Sequence, residues 1–349
     1  MRNGSSDYLA SGARCLALFA IIENHTMSQS QRLPLCILSR RWLAAFLIGW
    51  IATTVGTSSE IQADLMVVDS LSDRVLLVSE FDGSIINPSF ITDSARFSTI
   101  VNAVSSGPNS VFISDQVANA VFEYSTSGTY LRTVVSSGSS NVSNIRGIAV
   151  HNNRLYVTVA GGTYANTVQS FRLDGTDQRT FIGSKLDSPW DVYFRGSDVL
   201  VSNSGSDDIE RFDFNGNYLN TLVSSTGVGG INFPQQINER VNGNLLVGGF
   251  SNPFGIYEYL PNGTQVNYYN LPGPRAAYEL GNGKYLYSAG TRLAVFDPVT
   301  LSSTDIINNL SSSFRYIEKV QAVPEPGSCL LLCGGLVGIV AARFRRQRS

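Results

Sequence analysis

The chain has 349 residues, 43% hydrophobic and only 15% charged, with 25 Lys and Arg against 27 Asp and Glu and a formal net charge of −2. That balance excludes a disordered chain and a basic nucleic-acid binder. Four cysteines and two histidines narrow the chemistry further. Cys15, Cys36 and His25 precede residue 64 and Cys329 and Cys333 follow residue 323, so the stretch between holds His151 alone. It offers no disulfide framework, thiolate metal site or cysteine nucleophile.

At the N-terminus, Arg40 and Arg41 precede an apolar run over 42–55 and a more polar stretch to Ala63. This is the order of a secretory signal, and residues 1–63 are read as a leader cut after Ala63 by signal peptidase. Met27 is the expected start, because residues 1–26 add nothing to such a signal. The alternative is an uncleaved anchor, for which the apolar run is short. Ser39 to Leu43 also resembles a twin-arginine export motif, so Sec and twin-arginine routes both stay open.

From residue 64 to 323, short runs rich in Val, Ile, Tyr and Phe alternate with Gly, Asn, Ser and Asp turns, which predicts an all-β domain. Six runs align on their last residues: Asp69, Asp115, Val159, Asn203, Gly249 and Ala289, spaced 46, 44, 44, 46 and 40 apart. The turn glycines Gly83, Gly128, Gly175, Gly216 and Gly263 give an independent spacing of 45, 47, 41 and 47. A period near 44 is that of a four-stranded propeller blade. The first unit lacks its first strand, and a surplus run over 314–320 follows the last. The expected fold is therefore a six-bladed β-propeller whose C-terminal strand completes the first blade and closes the ring.

Residues 188–192, 198–205 and 209–219 read SPWDV, DVLVSNSG and IERFDFNGNYL, and 121–128 and 256–263 repeat the last part. The series resembles an NHL-type repeat. The resemblance implies a propeller of a class that includes ligand-binding scaffolds, lactonases and lyases. In such a ring the first strand of each blade lines the channel. Stepping 13 residues back from the aligned ends places Asn102, Arg146, Trp190, Gln236 and Ala276 at one mouth, with Arg275 one earlier and Arg315 opening the closing strand. Although 64–323 has 16 Lys and Arg against 23 Asp and Glu, a net −7, this mouth is cationic.

The expected ligand site is Arg146, Trp190, Gln236, Arg275 and Arg315, with guanidinium forks for a carboxylate or sulfate and the indole as a stacking face for a sugar. The alternative is that the arginines pair with Asp191 and Glu279 or solvate the rim. An enzyme reading is kept beside it. A gluconolactonase-like propeller would hold calcium or another divalent cation, for which Asp69, Asp115 and Asn203 are the candidate oxygen ligands. The other aligned ends offer none, and capping of the next turn explains the three equally well. His151 is expected on an exposed turn, and Asp207, Asp208, Glu210 and Asp213 in a solvated one. No catalytic residue and no cofactor is assigned.

At the C-terminus, Val323-Pro324-Glu325-Pro326 precedes an apolar stretch over 328–342, and Arg343, Arg345 and Arg346 open a basic tail. The prolines stop helix before the span and the arginines hold the tail in the cytoplasm. The three parts together resemble the PEP-CTERM sorting signal. That resemblance implies a transmembrane helix over 328–342, processing by an exosortase, an inner-membrane intermediate, and release to the cell surface or extracellular matrix. The resulting expectation is an exported, non-catalytic binding or structural module whose partners are an exopolysaccharide or a surface protein. Export and acidity both oppose nucleic acid.

Overall fold

The computed structural model describes residues 64–320, except 108 and 228. Six four-stranded antiparallel sheets make up this part of the chain. From the channel outward, blade 1 is Phe314–Lys319, Asp64–Asp69, Arg74–Ser79 and Ile85–Thr92, and blade 2 is Ile100–Ser106, Ser110–Asp115, Ala120–Ser125 and Tyr130–Ser136. Blade 3 follows as Val142–His151, Arg154–Gly162, Thr167–Arg172 and Arg179–Ile182, and blade 4 as Pro189–Phe194, Val199–Asn203, Asp208–Phe212 and Tyr218–Val223. Blade 5 is Pro234–Glu239, Leu245–Gly249, Gly255–Tyr259 and Gln265–Tyr269; blade 6 is Ala276–Glu279, Tyr285–Ala289, Arg292–Asp297 and Ser302–Asn308. The six-bladed propeller expected from the repeat is the observed fold.

Ring closure is also as expected. The C-terminal strand pairs with the first, Leu65 opposite Lys319 and Val67 opposite Ile317, and the Val320 N–H donates to the Asp64 carbonyl at 2.8 Å. The described residues therefore enter and leave the propeller side by side, at the end of the channel opposite Arg315.

Apolar alternation and burial explain the blades. The second strands carry Val, Leu, Ile and Tyr and are almost wholly buried between neighbouring sheets, whereas the fourth strands are mostly exposed. The repeated turn glycine has a steric cause. Gly175, Gly216 and Gly263 have φ of +85°, +81° and +87°, and a Cβ on each would lie 2.0 Å from a carbonyl oxygen in the last strand of the preceding blade. Only glycine tolerates both the left-handed backbone and that approach.

A second repeated device joins blades near the channel. At the penultimate aligned position, the Ser114 hydroxyl donates to the Arg146 carbonyl, Thr158 to the Trp190 carbonyl at 3.3 Å, and Ser288 to the Arg315 carbonyl. Blade 5 carries Gly248 there, whose added Cβ would lie 2.7 Å from the Arg275 carbonyl carbon. Blades 2, 3 and 6 thus fix the backbone of the next blade's channel strand by a hydroxyl, and blade 5 by close approach.

Candidate functional site

Near the start of five channel strands, the ladder to the second strand slips by one residue. The residues left outside the ladder include Val101, Arg146, Trp190, Gln235 and Arg315. Such bulges re-aim side chains, and here they turn them toward the channel. Val101, Trp190 and Tyr316 pack together with Phe233 against them. Blade 6 has no slip, and Arg275 precedes its first ladder pair, Ala276 with Ser288.

Three guanidiniums meet at this mouth. Arg146 lies over the Trp190 ring at 4.0 Å and donates to the Ser188 carbonyl at 3.1 Å, the Ser188 hydroxyl at 2.9 Å and the Pro189 carbonyl at 3.3 Å. Arg275 lies over the Phe250 ring at 4.5 Å. Arg315 Nε donates to the Ser70 hydroxyl at 3.0 Å. None of the three forms an ion pair with a carboxylate of the described residues. The pairing with Asp191 and Glu279 weighed from sequence does not form: Asp191 accepts from the Ile237 N–H at 2.9 Å, and Glu279 pairs with Arg240.

Electrostatics follow from that arrangement. Burial pulls Arg146 down to about 10, and burial with the neighbouring Arg315 charge does the same to Arg275. Burial also lowers Arg315. All three charges act on the Tyr316 hydroxyl, which burial above all holds well over its ordinary range. Several polar atoms here are buried with no hydrogen-bond partner: Arg146 Nε, Trp190 Nε1, both amide atoms of Gln235, Arg275 Nε and the Tyr316 hydroxyl. So many orphans in one place, most of them donors, are unusual for a folded protein and make the mouth the candidate site.

Two site residues differ from expectation. Trp190 is 6% exposed, with Arg146 on one side and the Phe233 ring at 5.8 Å on another, so its indole is a platform for the arginine and no open face for a sugar. Gln236 falls in the same ladder slip as Gln235 but points deeper, donating to the Ile317 carbonyl at 2.9 Å and to Glu318 at 2.8 Å. The mouth residues sequence reasoning missed are Gln235 and Tyr316, each next to a residue it named. A constant 13-residue step cannot show where a bulge adds one.

Below the mouth, Asn102 of blade 2 and Gln236 of blade 5 both reach Glu318 of blade 1. These bonds cross the channel and close it. Burial and the Asp191 charge push Glu318 up to about 8, and burial pushes Asp191 up to about 7. Neither carboxyl therefore carries a full charge at neutral pH with which to balance the arginines. Beyond this layer a cavity of about 160 Å³ is lined by Asp191, Tyr193, Glu318 and Lys319 among others.

The candidate metal ligands are occupied in three separate blades. Asp69 accepts from Arg74 and the Ser313 N–H, Asp115 from the N–H groups of Ser98, Thr99, Val117 and Ala118, and Asn203 from the Asp187 N–H while donating to Ser206. No cluster of three or more His, Cys, Asp or Glu side chains able to hold a metal occurs among the described residues. His151 is the last residue of its strand and stacks with Phe194 and Phe214, at 4.5 and 5.3 Å, not on an open turn. Nor is the 207–213 cluster solvated throughout: Glu210 is buried, and Asp207 accepts from the Phe233 N–H.

Comparison with known proteins identifies the C-terminal segment and the fold. Residues 322–346 match the PEP-CTERM protein-sorting motif, which spans Val323, Pro324, Glu325, Pro326, Arg343, Arg345 and Arg346. The motif marks an exported protein processed by an exosortase and sorted to the cell surface. No curated protein matches the chain. A chain from the crystal structure of a nidogen/laminin complex is similar at a TM-score of 0.64 and 12% identity, over 75% of this chain and 99% of that one. A protein of unknown function from Bacteroides caccae is similar at 0.54 and 12%, over 75% and 100%. At this identity the likeness shows the fold alone. The leader expected at 1–63 and the span expected at 328–342 lie outside the described residues; among the described residues no helix is long and apolar enough to cross a membrane.

Proposed function

We propose that this exported propeller is a non-catalytic binding module of the cell surface or extracellular matrix, holding an anionic polymer such as an exopolysaccharide at its arginine mouth. The observation that carries the reading is a trio of largely buried arginines with no carboxylate partner among the described residues. Natural proteins rarely bury charge without a counter-ion, because desolvation costs several kcal/mol per ion. An external anion completes the site. The chain's geometry supports this role: the sorting segment follows Val320, at the end of the channel opposite the arginines, so a tether there leaves the mouth facing outward. The blades are NHL-like in their repeat, the inner membrane is a station on the export route, and a surface protein with an acidic patch is the other partner this mouth suits.

The test is retention of matrix. The wild-type chain is expected to hold polysaccharide from its native matrix, and the Arg146→Ala/Arg275→Ala double variant to lose it. Equal retention by both defeats the reading.

A further inference from the structure

We infer that the arginine mouth receives, end-on, a dianionic phosphoryl group, free or at the end of a phosphorylated sugar. The inference rests on the anion-binding reading above and names the group bound. Charge is the first ground. The charges of Arg146, Arg275 and Arg315 all act on one buried hydroxyl, that of Tyr316, and the channel carboxyls Asp191 and Glu318 are bound to Ile237, Asn102 and Gln236 instead. One carboxylate would leave most of this charge unbalanced, whereas a phosphomonoester brings about −1.5 to −2 at pH 7.

The number of donors is the second ground. A carboxylate offers about four acceptor sites on two oxygens, whereas a phosphoryl group presents three oxygens and suits several arginines and further donors at once. Orphaned donors on Arg146, Trp190 and Arg275, with the Tyr316 hydroxyl and the Gln235 amide, exceed what two oxygens can accept.

Shape is the third. Val101, Trp190 and Tyr316 plug the channel beneath the arginines, and the layer at Glu318 closes it again, so no polymer threads through. Arg146 covers the Trp190 ring and Arg275 the Phe250 ring, so neither face is open to a sugar. What it can hold is a compact charged head that enters from outside.

Calorimetric titration of the full chain in detergent tests this, using inorganic phosphate, glucose 6-phosphate and trigalacturonate at pH 8 and pH 5. Phosphate loses its second charge near pH 6 while the arginines keep theirs. The expected result is that at least one phosphate ligand binds at pH 8, roughly tenfold tighter than trigalacturonate, and weakens roughly tenfold at pH 5, the scale of one charge-assisted bond. Arg275→Ala and Arg315→Ala should each cost a similar factor, and Arg132→Ala on the outer strand of blade 2 none. Binding of both phosphates assigns the site to a terminal ester, and of inorganic phosphate alone to the free ion. Trigalacturonate binding as tightly as either, and lost in the arginine variants, overturns the phosphoryl assignment but leaves the anionic-polymer reading standing. No binding of any of the three overturns both. Asp191 and Glu318 take up protons over the same range, so sulfate, which keeps its charge from pH 8 to pH 5, is titrated on the wild-type chain alongside, and weakening at pH 5 of phosphate but not of sulfate decides even where a variant fails to fold.

Discussion

Arg195 and Arg146 are 8% and 7% exposed, yet they serve opposite ends. Arg195 makes two bonds of 2.6 Å to the fully buried Asp198, which also binds Arg211, and Arg240 is likewise held by Glu258 and Glu279. These arginines complete the blades. Arg146, with Arg275 and Arg315, has backbone acceptors, hydroxyls and aromatic faces but no carboxylate. Burial alone therefore says little about an arginine's role, and the partner set says most.

The contrast can be broken by removing one partner of each kind. Asp198→Ala leaves Arg195 buried and unbalanced and is expected to cost about 3–5 kcal/mol in urea unfolding at pH 7. Arg275→Ala, which relieves repulsion from Arg315, should stay within about 1 kcal/mol of wild type. Comparable losses in the two variants would erase the distinction.

The channel acids sharpen it next. Glu318 and Asp191 titrate higher in the folded protein than in the unfolded chain, so the folded state holds more protons. Stability should then be greatest near pH 4 and fall by a few kcal/mol as pH rises to about 8. The Asp191→Asn/Glu318→Gln variant is expected to flatten that slope in unfolding midpoints measured across pH. An unchanged slope would show that these acids are already ionised and able to balance the arginines.

Smaller effects come from the backbone supports. Gly248→Ala forces a Cβ against the Arg275 carbonyl and should cost about 2 kcal/mol along with weaker anion binding, read by unfolding and by calorimetry. Ser114→Ala removes one bond to the Arg146 carbonyl and should cost about 1 kcal/mol in the same unfolding assay. A Gly248→Ala chain with full stability would mean that the mouth tolerates movement of Arg275.

The propeller was readable from sequence because each repeat must place a buried strand and a turn glycine at a fixed spacing, and the carbonyls that a Cβ at Gly175, Gly216 or Gly263 would meet at 2.0 Å enforce the second landmark. Closure was readable because strand count is conserved around a ring. The mouth was half legible. Arg146, Arg275 and Arg315 could be placed by counting, but the bulges that project Gln235 and Trp190 arise from ladder slips that leave no mark in composition. That Arg146 would cover the indole, and that Asp191 would turn to Ile237 instead of to an arginine, depends on side-chain packing between blades far apart in sequence.

The central claim is that the mouth arginines are balanced from outside the chain, and it is tested most directly by urea unfolding of wild type and the Arg146→Ala/Arg275→Ala/Arg315→Ala variant, each with and without saturating phosphate. A ligand that binds the folded state raises its stability by mass action. Phosphate is expected to raise the wild-type midpoint and leave the variant unmoved, while the two differ little without it. A variant much weaker than wild type in the absence of phosphate, together with a wild type that phosphate does not stabilise, would show that these arginines serve the fold.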